Sequence, residues 1–157
     1  LEIARQMGAD LAISPTDPDF YQQISDATGG YGVDLVIEAA SVWPAVELGM
    51  QIACKGGKIV VVARHTDKPA FSPIGDPYLQ KDLTLLVTYG HPPTGHRWER
   101  QRSFGLTMEM LVKGQLNIAP MITHRRPWHE LPSIYQRLEQ GERAIVGVVL
   151  DWTEATA

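Results

Sequence analysis

The chain has 157 residues, of which 44% are hydrophobic and 20% are charged, with a formal net charge of −4. A chain of this size can bury the core of one ordinary domain. Its negative charge argues against a nucleic acid or an anionic membrane surface as the main partner. Cys54 is the single cysteine, which excludes an internal disulfide framework and a multi-cysteine zinc site within the chain. We therefore expect a reducing, cytoplasmic setting, with no membrane span and no signal peptide.

The first residues have a helical pattern without the usual start of a helix. Leu1 is not an initiator methionine, no capping residue precedes Glu2, and Gly8 stands where a helix normally ends. We therefore interpret the chain as a fragment that begins inside an element.

Strand-like and helix-like segments then alternate, which predicts an α/β fold with a mostly parallel sheet. Asp17 is expected to cap a helix that has Pro18 at its first position, and Ser41 is expected to cap the helix after it. The apolar run 33–37 is typical of a strand covered on both faces. The predicted strands are residues 33–37, 59–63, 83–88, 121–123 and 146–150, after a short apolar run at 11–13. The predicted helices are a segment from Pro18 that ends at Gly29, residues 43–53, a helical turn at 77–80, residues 103–113, and a segment from Leu131 that ends at Gly141.

Several short patterns occur in a characteristic order from the first residue to the last strand. They are Leu1-Glu2-Ile3-Ala4-Arg5-Gln6-Met7-Gly8-Ala9-Asp10, Thr28-Gly29-Gly30-Tyr31-Gly32-Val33-Asp34-Leu35-Val36-Ile37-Glu38-Ala39, Gly56-Gly57-Lys58-Ile59-Val60-Val61-Val62, Gly114-Gln115-Leu116-Asn117 followed by Ile122-Thr123-His124-Arg125, and Leu138-Glu139-Gln140-Gly141-Glu142 followed by Val148-Val149-Leu150-Asp151. In this order and spacing they resemble the coenzyme-binding half of the medium-chain dehydrogenase/reductase family, in its zinc-type, alcohol-dehydrogenase-like form.

The resemblance implies a partial Rossmann-type parallel sheet with flanking helices in residues 1–120. A return segment in residues 121–157 would follow and pack on a catalytic lobe. The resemblance also implies NAD or NADP as the cofactor, with the glycine-rich phosphate turn and the zinc ligands of the parent lying upstream of Leu1. We identify no catalytic and no metal-binding residue in the chain itself. His91 and His96 stand in an irregular, proline-containing segment, which is a poor frame for a metal site.

Candidate cofactor contacts follow three of the predicted strands. They are Glu38, Ala39, Ala40, Ser41, Ala63, Arg64, His65, Thr88 and Tyr89. Ligands of open parallel sheets bind at the carboxyl edge, where these strands end. The resemblance implies that backbone groups of the last two loops position the nicotinamide carboxamide. Plain strand-to-helix turns are the alternative interpretation.

Two positions depart from the family pattern. Ser41 stands where a glycine is usual, which leaves less room for close approach of a ligand to the backbone. Gly147 stands where a basic residue often approaches the pyrophosphate, so Arg143 is the remaining candidate for that contact.

The resemblance also implies a reaction. The intact parent would transfer a hydride between a small-molecule alcohol or carbonyl substrate, such as a polyol, and NAD(P), with zinc polarising the oxygen as a Lewis acid. A zinc-free quinone or enoyl reductase of the same superfamily and a truncated, non-catalytic binding or oligomerisation module are the alternatives. The chain alone is expected to be inactive.

The predicted strand at 83–88 favours a homo-oligomer. In the family the matching strand commonly lies at the outer edge of the sheet, where two subunits join. Here the strand carries no charge and no proline between Leu83 and Thr88, so it lacks the usual protection against edge pairing. We expect Leu85 and Val87 near the contact. The alternative is a monomer in which residues 90–100 fold over this edge.

Overall fold

The structure, a computed structural model, describes residues 1–72, 74–88, 90, 95 and 97–153. The chain divides into two compact units, one of Ile13–Arg100 and the other of Leu1–Ala12 with Gln101–Ala157. In chain order the elements are α1 (Glu2–Gln6), α2 (Phe20–Ala27), β1 (Val33–Glu38), α3 (Trp43–Ile52), β2 (Ala53–Val61), β3 (Thr84–Val87), α4 (Arg100–Val112), a 3-10 turn (Ala119–Met121), β4 (Ile122–Pro127), a second 3-10 turn (Trp128–Glu130), α5 (Leu131–Glu139) and β5 (Gly147–Asp151).

The unit of Ile13–Arg100 is built on a three-stranded parallel sheet in the order β1-β2-β3. Val46 and Met50 of α3 are fully buried against Ile59 of β2, at the centre of the hydrophobic core. Burying each such side chain contributes roughly 1.5–3 kcal/mol. The parallel sheet with its flanking helix confirms the predicted α/β fold.

The entry to β1 requires a glycine. Gly32 has a φ of +86°, and a Cβ at this position would lie 2.8 Å from the carbonyl oxygen of Ile52, at the end of α3. Residues with a Cβ rarely adopt this backbone conformation. The glycine before the strand therefore allows β1 to start directly beside the end of α3.

β1 is covered on one face, and the prediction that it is covered on both is wrong. Leu35 and Ile37 are 50% and 64% exposed, whereas Val36 packs against the core. Side chains alternate between the two sides of a sheet, and α3 buries the side that carries Val36 and Ile59. A continuous apolar run indicates that a strand can be buried, but not which of its faces has a covering element.

Two predicted helix caps are also wrong. α2 begins at Phe20 with no side-chain cap, because the carboxylate of Asp17 accepts a hydrogen bond from Ser14 N at 3.0 Å instead. α3 has Val42 at its N-cap position and no side-chain cap, so Ser41 does not cap it. In each case the predicted capping residue belongs to a tight turn just before the helix.

Other segments differ from their predicted lengths or types. The apolar run at 11–13 has no regular secondary structure. The predicted helical turn at 77–80 is present without a continuous helix, since Leu79 N donates to Gly75 O and Lys81 N donates to Pro77 O. β2 already begins at Ala53, and β4 continues to Pro127. The predicted apolar face of α4 is largely uncovered, since Phe104 and Met108 are exposed.

The unit of Leu1–Ala12 with Gln101–Ala157 contains a two-stranded parallel sheet of β4 and β5. α5 connects the two strands and buries Ile134. In the last turn of α5, the Arg137 guanidinium donates two hydrogen bonds of 2.7 Å to the Glu142 carboxylate, which holds the turn that leads to β5.

The first residue of β5, Gly147, has no room for a side chain. An added Cβ on Gly147 would overlap the carbonyl oxygen of Met121. Any residue with a side chain, including a basic one, would therefore require the backbone to move.

Candidate functional site

The three strands of the larger sheet end at the same edge. Glu38, Val61 and Val87 occupy matching positions in the parallel register. Val62 N donates to Glu38 O at 3.0 Å, and Thr88 N donates to Val61 O at 3.1 Å. The segments that follow the strands therefore meet at one carboxyl edge, as their positions in the sequence predicted. Tyr89, the last predicted contact, lies outside the described residues.

The turn after β1 is organised by a buried carboxylate. Glu38 Oε1 accepts hydrogen bonds from Ala40 N at 2.6 Å and from Ser41 N at 2.9 Å. Ser41 has a φ of +61°, in the left-handed region that glycine enters without strain and that other residues rarely adopt. The positive φ gives a conformational reason for the glycine that is usual at this place. Both backbone N–H groups of the turn are bonded within the protein.

The second oxygen of the same carboxylate meets a histidine. Glu38 Oε2 and His65 Nε2 lie 2.8 Å apart, and the two side chains are 2% and 7% exposed. Burial raises the pKa of Glu38, but the hydrogen bonds from His65, Ala40 N and Ser41 N and the electrostatic interaction with His65 lower it by more. The net pKa of Glu38 therefore lies below the ordinary value. Glu38 is therefore ionised at neutral pH.

An indole ring lies beside this pair. The rings of Trp43 and His65 have centroids 4.4 Å apart and are tilted by 40°. Trp43 Nε1 donates to Asp67 O at 2.6 Å, so the first residue of α3 is bonded to the loop after β2. His65 Nδ1 is buried and has no hydrogen-bond partner among the described residues.

Two cavities open at the carboxyl edge of the sheet, and Trp43 and His65 line both. The first, of about 360 Å³, is lined by Trp43, Val61, Ala63, Arg64, His65, Leu85, Val87 and Thr88. The second, of about 320 Å³, is lined by Ser41, Val42, Trp43, Pro44, His65, Thr66, Asp67, Lys68 and Ala70.

Four predicted contacts, namely Ala63, Arg64, His65 and Thr88, thus share the first cavity. Ser41 lines the second, whereas Glu38, Ala39 and Ala40 line neither. Among the lining residues that sequence reasoning missed, Trp43 lines both cavities. Its place at the start of the helix after β1 was a usable signal, because that helix begins at the same edge of the sheet.

Within the ranges that the structure describes, no three His, Cys, Asp or Glu side chains gather in a way that could hold a metal ion. In the two-stranded sheet, the polar side chain of Thr123 is used in hydrogen bonds within the protein. His124 Nδ1 lies 2.9 Å from Thr123 Oγ1, which in turn accepts a hydrogen bond from Val146 N. The described residues therefore do not fit a zinc site. None of the helices in the described part of the chain is long and apolar enough to cross a bilayer.

Comparisons with known proteins agree with this architecture. A family model described as "Zinc-binding dehydrogenase" matches residues 1–101. The chain is 29% identical over 148 residues to a 2-dehydro-3-deoxy-L-galactonate 5-dehydrogenase of Pseudoalteromonas atlantica, which covers 92% of the chain and 40% of that protein. It is 29% identical over 124 residues to an L-threonine 3-dehydrogenase of Pyrococcus horikoshii, which covers 79% of the chain and 33% of the relative.

A solved structure shows the same fold. The alcohol dehydrogenase TADH from Thermus sp. ATN1 superposes with a TM-score of 0.76 at 22% identity, over 96% of the chain and 40% of that structure. The chain thus spans about 40% or less of the length of these proteins. Because the family model covers well over half of the chain, the resemblance in the motifs is confirmed. The chain belongs to the zinc-binding dehydrogenase family, of the medium-chain type, and corresponds to its coenzyme-binding part.

Proposed function

We propose that the cavity between the ends of β2 and β3 receives the nicotinamide end of NAD or NADP. The observation that carries this proposal is the convergence of Ala63, Arg64, His65 and Thr88 around one cavity of about 360 Å³. Much of its wall is apolar, which suits an aromatic ring, and it opens at the edge where parallel sheets bind ligands. The N–H of Ala63 and the carbonyl of Thr88 would hold the carboxamide, since Thr88 N is already bonded within the sheet.

We infer that the whole enzyme is an alcohol or polyol dehydrogenase. The substrate carbon would lose a hydride to the oxidised nicotinamide and its hydroxyl would lose a proton, which leaves a carbonyl group. Relatives named for a sugar acid, for threonine and for sorbitol support small hydroxylated substrates. This chain would bind and orient the nicotinamide ring and exclude water from it. The family description implies zinc as the Lewis acid, held by residues other than the described ones of this chain.

A titration with NADH, and in parallel with NADPH, tests the coenzyme site. We expect the backbone amide resonances of Ala63 and Arg64 to shift on addition of NADH. Ala63→Phe fills the cavity with a large side chain and should weaken binding by about tenfold or more, which corresponds to about 1.4 kcal/mol. Val112→Phe places the same ring on an exposed position of α4 and should leave binding unchanged. Equal affinity of the Ala63→Phe variant and the wild type would contradict the proposed site.

We also propose that residues 1–120 serve the coenzyme and that residues 121–157 return to pack on a catalytic lobe. The support is an exposed aromatic pair: Trp128 stacks on Trp152 with ring centroids 5.3 Å apart, and both rings remain accessible. Exposed aromatic surface of this kind commonly marks a contact with another protein surface. Quenching of these two indoles by iodide should be strong in the chain alone and weak in a whole enzyme. Equal quenching in both would contradict the packing.

A homo-oligomer through β3 completes the proposal. Within the described residues β3 is one of the two edge strands of its sheet, and Val87 is 76% exposed, whereas Leu85 packs against the core. Val87 is therefore the better probe of a contact between two chains. Light scattering should show that Val87→Lys shifts the wild-type assembly toward a monomer, while Ile74→Lys on an exposed loop does not. A wild type that stays monomeric at high concentration would rule out the edge contact.

A further inference from the structure

Glu38 and His65 form a buried pair beside the candidate nicotinamide cavity, and His65 is one of the residues that line it. Three hydrogen-bond partners converge on one carboxylate: Ala40 N and Ser41 N on Oε1, and His65 Nε2 on Oε2. A carboxylate can only accept hydrogen bonds. The hydrogen of the imidazole must therefore lie on Nε2, where it donates to Glu38.

The other imidazole nitrogen supports the same assignment. His65 Nδ1 is buried, and no residue in the described part of the chain is hydrogen-bonded to it. A hydrogen on this nitrogen would be a buried donor without an acceptor, whereas a bare lone pair leaves only an unused acceptor. The surroundings of both nitrogens thus favour the tautomer with its hydrogen on Nε2.

This histidine connects three parts of the carboxyl edge. Its backbone belongs to the segment that lines the candidate nicotinamide cavity, its Nε2 bonds to the end of β1, and its ring rests against Trp43 at the start of α3. Trp43 in turn donates to Asp67 O, two residues beyond His65. Residues 63–67 are therefore hydrogen-bonded to β1 through His65, and to α3 through Asp67 and Trp43.

We propose that His65, held by Glu38 with its hydrogen on Nε2, is a positioning residue that sets the shape of the cavity lined by Ala63 and Arg64. It acts through its contacts with Glu38 and Trp43, in addition to lining the cavity. The role of His65 in coenzyme binding rests on the proposed function. The position of residues 63–67, however, can be measured without any coenzyme.

The tautomer is the first test. Long-range nitrogen–proton NMR spectra of the histidine-labelled chain at about pH 8 should show His65 with its hydrogen on Nε2. In Glu38→Gln the amide oxygen can still accept from Ala40 N and Ser41 N, and the amide nitrogen then faces His65. The hydrogen of the imidazole should move to Nδ1, which inverts the pattern. A wild type with its hydrogen on Nδ1 would overturn the proposal even if the Gln variant fails to fold.

Position is the second test. His65→Leu removes the donor, whereas His65→Gln keeps an N–H at similar reach. We expect the indole N–H resonance of Trp43 and the amide resonances of Ala63 and Arg64 to move in the Leu variant and to return toward wild-type values in the Gln variant. His129→Leu, at an exposed histidine of the other unit, is the matched control. Unmoved resonances in His65→Leu would overturn the proposal.

NADH binding separates this inference from the proposed function. We expect His65→Leu to weaken NADH binding about tenfold and His65→Gln to restore most of it, a difference of about 1.4 kcal/mol. If the wild type binds no NADH while the resonances behave as expected, the proposed coenzyme site fails and the positioning of the segment stands. If NADH binds equally to the wild type and to His65→Leu, the positioning role fails and the coenzyme site stands.

Discussion

Replacing Ser41 with glycine tests the backbone conformation of the turn after β1. Ser41 has a φ of +61°, and its side chain is exposed, so the substitution removes little packing. Its N–H, which donates to Glu38 Oε1 at 2.9 Å, remains in the variant. The change therefore acts on the conformational energy of one residue, with the surrounding hydrogen bonds unchanged.

Two opposing effects determine the magnitude. The left-handed conformation costs a residue with a Cβ roughly 1–2 kcal/mol, and glycine avoids this cost. Glycine loses more backbone freedom on folding, which costs about 0.5–1 kcal/mol. We therefore expect Ser41→Gly to raise the free energy of unfolding by about 0.5–1 kcal/mol, or Tm by about 2–3 °C in a chain of this length. A β-branched side chain tolerates the left-handed region least, so Ser41→Val should be destabilising by about 1–2 kcal/mol.

Urea unfolding followed by circular dichroism measures these changes, with thermal unfolding as a second reading. The matched control is Ser25→Gly within α2, where glycine should lower stability by about 0.5–1 kcal/mol because the backbone is helical. The same substitution must therefore have opposite signs at the two positions. A loss of stability in Ser41→Gly similar to that in Ser25→Gly would refute the left-handed conformation of Ser41, and so would a neutral Ser41→Val.

Four further predictions follow from individual contacts. Gly147→Lys should lower the free energy of unfolding by about 2 kcal/mol or more in urea titrations, because its Cβ overlaps a neighbouring carbonyl. The hydrogen bond from Arg137 lowers the pKa of Glu142, so the ion pair stabilises the fold at neutral pH. This contribution is lost as the pH falls through the folded-state pKa of Glu142. The urea midpoints of the wild type and Glu142→Gln should therefore converge at acidic pH. Burial and the hydrogen bond to Asp34 raise the pKa of the Cys54 thiol, so iodoacetamide should modify it more slowly than free cysteine at about pH 8, and Asp34→Asn should speed the reaction. Elemental analysis of the purified chain should find no stoichiometric zinc, since the described residues bring together no set of metal ligands.

Local patterns were sufficient to predict most of the secondary structure. The apolar run before Glu38 and the run from Ile59 predicted two adjacent parallel strands, and both form. Their order with the helix between them predicted the α/β class and the edge at which the candidate contacts meet. Such features depend on neighbours in sequence, because strand formation and helix termination follow from side chains within a few residues. The helix caps were the exception. Asp17 accepts a hydrogen bond from Ser14 N within its own turn instead of capping α2.

The tertiary structure alone decided how the candidate site is held together. Glu38 and His65 are 27 residues apart, and their contact exists only because β1 and β2 pair in one register. The hydrogen bond from Ser41 N to the buried Glu38 carboxylate stabilises the left-handed conformation of Ser41. The amino-acid composition cannot reveal this hydrogen bond. The cover of β1 on one face depends on where α3 packs, so the sequence showed which residues could be buried, and only long-range packing determined which of them are.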